Sequence, residues 1–154
     1  MDMLIALASL PVAPALPGLA IRKPIGPEHE LVAAWIARHF TPAWASEARA
    51  ALANRPVTLL VATRGDPAEL LGFCACDATA RGFVGPIGVL DTARRTGIGA
   101  ALLLACLHDM RAMGYGYAVA GAVGAPDFFR RVAGAIDIPG STPGMYAGML
   151  RAAP

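Results

Sequence analysis

The residues whose types and spacing are best suited to bind a ligand lie in one short segment, residues 94–99, with the sequence RRTGIG. This segment joins a β-rich run that ends at Leu90 to an apolar helical run that begins near Gly97. Glycine permits backbone conformations with positive φ and lets a ligand approach closely. The first amides of a helix have no intrahelical acceptor, and the helix dipole adds partial positive charge there. The segment therefore predicts a site for a diphosphate group, to which Arg94 and Arg95 add charge.

Two common phosphate-binding loops are excluded at this segment. A P-loop ends in Gly-Lys-Ser/Thr, whereas Gly99 is followed by two alanines. A dinucleotide-binding fingerprint has a third glycine or alanine at the position where Leu102 stands. The glycines therefore point to another kind of phosphate-binding junction.

The elements that position this segment follow from hydrophobic periodicity and from turn residues. Helices are predicted from Pro27 to Phe40, over residues 42–53 with Thr41 as the cap, from Ile98 to about Met113, and from Pro126. Strands are predicted at Met3–Ala6, Leu19–Lys23, Val57–Thr63, Leu70–Asp77, Phe83–Leu90, Tyr117–Ala120, Ala135–Ile138 and Met145–Leu150. This order predicts a mixed α/β sheet.

Length and composition favour one folded domain spanning residues 1–154, in which residues 1–18 form an apolar arm. The chain is 56% hydrophobic and 16% charged, which excludes disorder. The arm carries Asp2 in place of a basic start, and Pro11, Pro14 and Pro17 break any spanning helix. We therefore expect no membrane association and a cytoplasmic location.

Charge and cysteine content exclude two further classes of site. The formal net charge is only +2, without a basic stripe, so nucleic acid is not an expected partner. Of the three cysteines, Cys74, Cys76 and Cys106, the first two share one face of a predicted strand, and no histidine stands at ligand spacing from them. We expect buried core cysteines and no metal site.

The motif Arg94-x-x-Gly97-x-Gly99, set between a strand and a buried helix, resembles the acetyl-CoA loop of the GNAT superfamily of N-acetyltransferases. Two helices after an early strand, followed by an antiparallel meander into the loop, match the same family. The resemblance extends from Leu19 to Leu150 and implies the GNAT fold, a central, mostly antiparallel mixed sheet flanked by helices. It implies that backbone groups of Val89 and Leu90 pair with the pantetheine arm of acetyl-CoA like an added strand, and that a strand amide near Val89 or Leu90 steadies an oxyanion. The cofactor-binding residues that it implies are Val89, Leu90, Arg94, Arg95, Thr96, Gly97, Ile98, Gly99, Ala100 and Phe129.

The chain departs from this family after the Tyr117–Ala120 strand. The family often carries Asn-x-x-Ala-x-x-hydrophobe-Tyr there, and the tyrosine commonly protonates the departing thiolate. Here Ala122 replaces the asparagine, Ala125 fits, and Phe129 occupies the tyrosine position. A phenyl ring cannot donate a proton, although Phe129 can pack against the pantetheine.

Other residues are candidates for the missing acid and for the base. Tyr117 or Tyr146 could supply the proton, although each also fits an ordinary strand tyrosine. Glu47 and Asp77 are the carboxylates that the resemblance places near the acceptor cleft. Glu47 lies three residues after Trp44 and so on the same helix face. A plain structural role also fits both carboxylates and His39, a third candidate base.

Three functions remain open from the sequence. The first is acetyl-CoA-dependent acetylation of an amine, either a small molecule or an amino-terminal group, by direct attack. The second is a non-catalytic acyl-CoA-binding module with decayed catalytic residues, which Ala122 and Phe129 favour. The third, a protein without a ligand, leaves the Gly97/Gly99 junction unexplained. The resemblance also allows a homodimer formed through sheet edges.

Overall fold

In the computed structural model, which describes residues 1–151 and 153, seven strands and four α-helices follow the chain. The strands are β1 (Met3–Ala6), β2 (Leu19–Arg22), β3 (Leu59–Arg64), β4 (Glu69–Cys76), β5 (Phe83–Val89), β6 (Tyr117–Ala120) and β7 (Ile136–Asp137). The helices are α1 (His29–His39), α2 (Pro42–Ala53), α3 (Ile98–Ala112) and α4 (Pro126–Ala133). The predicted mixed α/β sheet flanked by helices is confirmed.

All seven strands form one sheet, in the order β2-β3-β4-β5-β6-β1-β7. Every neighbouring pair is antiparallel except β5 and β6, which run parallel. A parallel pair needs a crossover, and α3 supplies it between β5 and β6. The strand nearest the start of the chain, β1, is an interior strand because it lies between β6 and β7.

Each face of the sheet has its own apolar core. One core lies under α3, whose Leu102, Leu103 and Leu107 are completely buried against the sheet. The other lies under α1 and α2 and is built around Ile36 and Phe73. The nearly all-round apolar character of α3 is therefore explained by its burial.

Local sequence explains where α2 and α3 begin. The hydroxyl of Thr41 accepts a hydrogen bond from the Trp44 amide at 3.1 Å, which caps α2 as predicted, and Pro42 occupies its first turn. Gly97 precedes α3 with φ at +88°, a left-handed conformation that an L side chain rarely adopts. The predicted glycine requirement at this junction is confirmed for Gly97.

The predicted strand at Met145–Leu150 is wrong. Gly144–Tyr146 forms a 3-10 turn, and no strand follows it among the described residues. Gly144 and Gly148 hold left-handed backbones, with φ at +58° and +71°, which extended strand residues do not adopt. The apolar side chains that suggested a strand are instead exposed, Met149 at 57% and Leu150 at 94%. An apolar run alone therefore does not make a strand where glycines with left-handed backbones interrupt it.

The arm at the start of the chain is anchored by every second side chain of its first residues, which packs into the core. Met3, Ile5 and Leu7 are fully buried, as expected for one face of an interior strand. The strand predicted at Met3–Ala6 is confirmed with its bounds. Among the described residues, no helix combines the length and the apolar character that a membrane crossing requires.

Candidate acetyl-transfer site

The two parallel strands of the sheet separate along most of their length. β5 and β6 pair only at Phe83 opposite Val119 and at Val84 opposite Ala120. Beyond Val84, the edge of β5 that faces β6 has no paired strand in the described part of the chain. The separation opens a gap through the sheet at the carboxyl end of β5, next to the start of α3.

A cavity of about 1010 Å³ occupies this gap. Its walls include Ile87 and Val89, which pack on the core under α3, and Phe40 and Trp44, which pack on the core under α1 and α2. The cavity therefore connects the two faces of the sheet. Its volume lies at the upper end of the usual range for small-molecule and cofactor sites.

The first turn of α3 presents free backbone amides to one end of the cavity. The first α3 hydrogen bond is donated by Ala101 to the Gly97 carbonyl at 3.0 Å, so the three preceding amides have no acceptor within the helix. Gly97, Gly99 and Ala100 all line the cavity. These amides and the helix dipole make this end of the cavity a site for an anion.

Neither packing nor backbone conformation requires a glycine at position 99, whereas a bound ligand would. A Cβ added at Gly99 would lie 3.6 Å from the Phe128 ring and 3.7 Å from a Val89 methyl, which is ordinary van der Waals contact. Its backbone is helical, so no strained φ requires glycine either. The missing side chain instead keeps the cavity clear where the free amides point, as a bulky diphosphate group requires.

Three arginines surround the same end of the cavity. Arg94 and Arg95 come from the loop before α3, and Arg131 comes from α4. Arg94 is 63% exposed and pairs with Asp91 at 3.0 Å. Arg95 holds a left-handed backbone with φ at +62°. The sequence predicted the first two; Arg131 was missed because only the fold brings α4 beside the loop.

The open edge of β5 provides backbone groups along the cavity. The Leu90 amide donates to the Leu71 carbonyl of β4 at 2.9 Å, and strand groups alternate in direction, so Ile87 and Val89 turn their amides and carbonyls toward the gap. The Val89 carbonyl accepts a bond from Arg94 Nε at 3.4 Å. The Leu90 amide, which was expected to pair with a ligand, is therefore already bonded to β4, and Ile87 is a residue whose amide and carbonyl lie on the open side instead. Strand alternation applied to the sequence could have identified Ile87.

Two more predicted ligand residues do not line the cavity. The Thr96 hydroxyl donates to the Ala93 carbonyl at 2.6 Å and closes the loop on itself. The Ile98 side chain is 1% exposed and belongs to the core under α3, so only its amide is available to a ligand. Phe129, by contrast, lines the cavity, as does the neighbouring Phe128, which was not predicted. Their rings pack edge to face at 5.3 Å and form an apolar wall.

The other end of the cavity, on the side of α1 and α2, carries one carboxylate between aromatic rings. Glu47 accepts a hydrogen bond from the Thr79 hydroxyl at 2.5 Å, which fixes its orientation. The half-buried rings of Phe40 and Trp44 lie 5.5 Å apart and form the aromatic wall of this end of the cavity. Glu47 is thus placed in the cavity, and the sequence did not point to Thr79 as its partner.

Tyr146 closes this end of the cavity from the turn after β7. Its hydroxyl lies against Gly121, where no side chain would fit beside it. Burial raises the pKa of Tyr146, and the nearby negative charges of Asp2 and Glu47 raise this pKa further. The phenol therefore remains protonated at neutral pH. The structure brings Tyr146 and Glu47 to the same end of the cavity.

The remaining candidates have structural roles. The Asp77 carboxylate accepts bonds from the Gly82 amide at 2.7 Å and from the Tyr115 hydroxyl at 2.8 Å, so it organises the turn before β5 outside the cavity. His39 stacks on Trp35 at 5.0 Å and also lies outside the cavity. Tyr117 is 62% exposed on β6 and does not line the cavity.

The cysteines lie in the core, as predicted. Cys74, Cys76 and Cys106 are buried, and hydrogen bonding with Cys106 and burial raise the pKa of Cys76 far above its usual range. In the part of the chain that the structure describes, no group of three metal-ligating side chains comes together.

Comparison with solved structures finds the same fold in other proteins, two of which are described as N-acetyltransferases. A GCN5-related N-acetyltransferase from Sphaerobacter thermophilus matches with a TM-score of 0.70 and 25% identity, covering 88% of this chain and 47% of that one. The glucosamine N-acetyltransferase region of a fungal multi-domain β-N-acetylglucosaminidase matches with a TM-score of 0.69 and 16% identity, covering 86% of this chain and 19% of that one. A Drosophila protein matches with a TM-score of 0.62 and 18% identity, covering 89% of this chain and 46% of that one.

The chain spans about half the length of the Sphaerobacter and Drosophila structures and about a fifth of the fungal one. A comparison with curated protein sequences found no match. The sequence profile of the acetyltransferase (GNAT) family, however, matches residues 28–134, more than half of the chain and all of the elements from α1 to α4. The strand, the glycine junction and the buried helix that build the cavity all lie within this match, and the chain belongs to the GNAT acetyltransferase family.

Proposed function

We propose that this protein transfers an acetyl group from acetyl-CoA to a primary amine. The observation that carries the proposal is a single cavity with two different ends. One end has free helix amides and arginines that suit a diphosphate, and the other has a carboxylate and a protonated phenol that suit an amine. Family membership supports acetyl transfer in general.

The residues of the first end fit coenzyme A. The amides of Ile98, Gly99 and Ala100, together with Arg94 and Arg131, would hold the diphosphate. The open edge of β5 at Ile87 and Val89 offers amides and carbonyls to the amide groups of the pantetheine arm, in the manner of an added strand. When bound, acetyl-CoA supplies an acetyl thioester as the acyl donor.

The residues of the second end handle protons. Glu47 attracts the ammonium form of the acceptor and takes up the proton that the amine loses. The Tyr146 hydroxyl would give its proton to the sulfur that leaves as the new N–C bond replaces the C–S bond, and the second proton that the nitrogen loses would restore the phenol. Tyr146 thereby supplies the group that Phe129 lacks, from a different segment of the chain.

Calorimetric titration with acetyl-CoA, followed by measurement of free-thiol release with a panel of amines, tests this function. Binding followed by amine-dependent thiol release is the expected result. Glu47→Gln and Tyr146→Phe should each lower the rate of release without changing acetyl-CoA affinity. Failure to bind acetyl-CoA would overturn the proposal.

A second candidate is a non-catalytic acyl-CoA-binding module. Phe129 at the position of the usual tyrosine and Ala122 at that of the asparagine favour it. In that case acetyl-CoA binds with no amine-dependent thiol release, and the substitutions at Glu47 and Tyr146 have no rate to change.

A further inference from the structure

The end of the cavity that carries Glu47 and Tyr146, hereafter the acceptor end, is lined by a carboxylate and by no cationic side chain. Glu47 lines this end, and Asp2 lies close enough to Tyr146 to act on its hydroxyl. The cations among the described lining residues are Arg94, Arg95 and Arg131, and all three stand at the opposite end, beside the start of α3. A negative group that entered with the acceptor would therefore meet repulsion from Glu47 and no compensating cation among the side chains that line this end.

The walls of the acceptor end are aromatic and fixed. Phe40 packs edge to face on Phe73 at 5.6 Å, and Trp44 does the same at 6.1 Å, so both rings are anchored in the core. Fixed aromatic rings favour an apolar body on the acceptor and also attract its cation through their faces. The Thr79 bond holds the Glu47 carboxylate at this wall.

From these charges and walls we infer that the acceptor is a small primary amine with an apolar or aromatic body and no carboxylate on the carbon that bears the amine. This inference rests on the proposed acetyl transfer. It separates simple amines from free amino acids, which carry the same ammonium group beside a carboxylate.

Three compounds with one aromatic body test the inference. These are 2-phenylethylamine, phenylalanine and phenylalaninamide, of which the last keeps the size of the amino acid without its negative charge. With acetyl-CoA saturating, we expect kcat/KM to be roughly tenfold or more lower for phenylalanine than for 2-phenylethylamine. Phenylalaninamide should recover most of that loss, because charge rather than size causes it.

Two charge variants assign the effect to Glu47. Glu47→Gln should bring the kcat/KM ratio of 2-phenylethylamine to phenylalanine toward one, even though both values fall. Glu30→Gln is the matched control, because Glu30 lies 80% exposed on α1 and pairs with Arg49 at 3.5 Å, away from the cavity. This control should leave the ratio unchanged.

Each remaining outcome is decisive. Equal use of phenylalanine and 2-phenylethylamine, or a ratio that Glu47→Gln leaves intact, would overturn the inference. Turnover of an amino-terminal peptide but of none of the three compounds would overturn it in favour of a peptide acceptor. Acetyl-CoA binding without turnover of any acceptor would overturn it too, whereas absence of acetyl-CoA binding would remove the proposed function itself.

Discussion

The side chain of Asp2 accepts a hydrogen bond from the backbone amide of Ala122 at 2.8 Å, although the two residues are 120 positions apart in the sequence. Asp2 is only 7% exposed, and its own amide donates to the Ser141 hydroxyl at 2.8 Å. Ala122 lines the cavity and has a left-handed backbone, with φ at +46°. The first strand thus holds a strained segment of the cavity wall in place.

Replacing Asp2 should measure this support. We expect Asp2→Ala to lower the free energy of unfolding by about 1–3 kcal/mol, because the hydrogen bond from the Ala122 amide to the buried Asp2 carboxylate is lost. Asp2→Asn keeps an acceptor oxygen and should cost less. Chemical denaturation of the two variants checks this prediction, and equal losses would contradict the hydrogen-bond explanation.

The two glycines before and inside α3 should behave differently when substituted. We expect Gly97→Ala to lower stability by about 1–2 kcal/mol, because its left-handed backbone penalises a Cβ. Gly99→Val should leave the thermal midpoint nearly unchanged but abolish acetyl-CoA binding, because its side chain fills the diphosphate position. Thermal denaturation and calorimetry on both variants separate these effects. Retained acetyl-CoA affinity in Gly99→Val would disprove the assignment of this end of the cavity to the diphosphate.

Gly88 on β5 should tolerate no side chain. A Cβ there would lie 2.7 Å from the Phe40 ring and 2.9 Å from the Phe73 ring. We therefore expect Gly88→Ala to cost about 1–3 kcal/mol of stability by overpacking. Because Phe40 must move and it lines the acceptor end, the KM for the amine should rise while acetyl-CoA affinity changes little. An unchanged KM in a folded variant would contradict the proposed acceptor wall.

The pH dependence of turnover should reflect Tyr146. Its pKa is raised by burial and by nearby carboxylates, and the phenol donates a proton only while protonated. The activity it supports is therefore present at neutral pH and is lost only as the pH rises through this raised value. We expect no loss of kcat from this group below about pH 10, the ordinary tyrosine value.

Tyr146→Phe should lower kcat by about 10²–10⁴, the usual contribution of a general acid, with acetyl-CoA affinity unchanged. Steady-state thiol-release kinetics provide the measurement. A second variant, Phe129→Tyr, places a phenol at the position where the family usually has one. It should leave the rate nearly unchanged if Tyr146 already supplies the proton. A clear gain in rate from Phe129→Tyr would argue against the role of Tyr146.

The elements of the fold follow largely from local pattern, since periodicity and caps are local properties. Thr41 before Pro42 and Gly97 before an apolar run marked two helix starts at the residues where the structure has them. Strand bounds shifted by one or two residues, as at β3, which begins at Leu59 where Val57 was predicted. Such shifts are expected, because strand ends depend on the neighbouring strand.

The site was less predictable than the fold, because several of its residues come from segments that are distant in the sequence. The loop from Arg94 to Gly99 was found in the sequence because one short segment carries it. Arg131, Thr79 and the use of Tyr146 depend on how helices and turns meet across the gap. Spacing alone could not show that Asp77 binds Tyr115 and therefore lies outside the cavity.

The interior position of β1 also constrains how the chain reaches its folded state. Met3 pairs with Ala120 and with Asp137, both made long after it during synthesis. β1 therefore leaves the ribosome well before its partner strands β6 and β7 and stays unpaired until they are made. Contacts of such long sequence separation slow folding, because a large loop must close before they form. We expect insertion of β1 to be a late event in folding, and the wall at Ala122 to take its final shape only then.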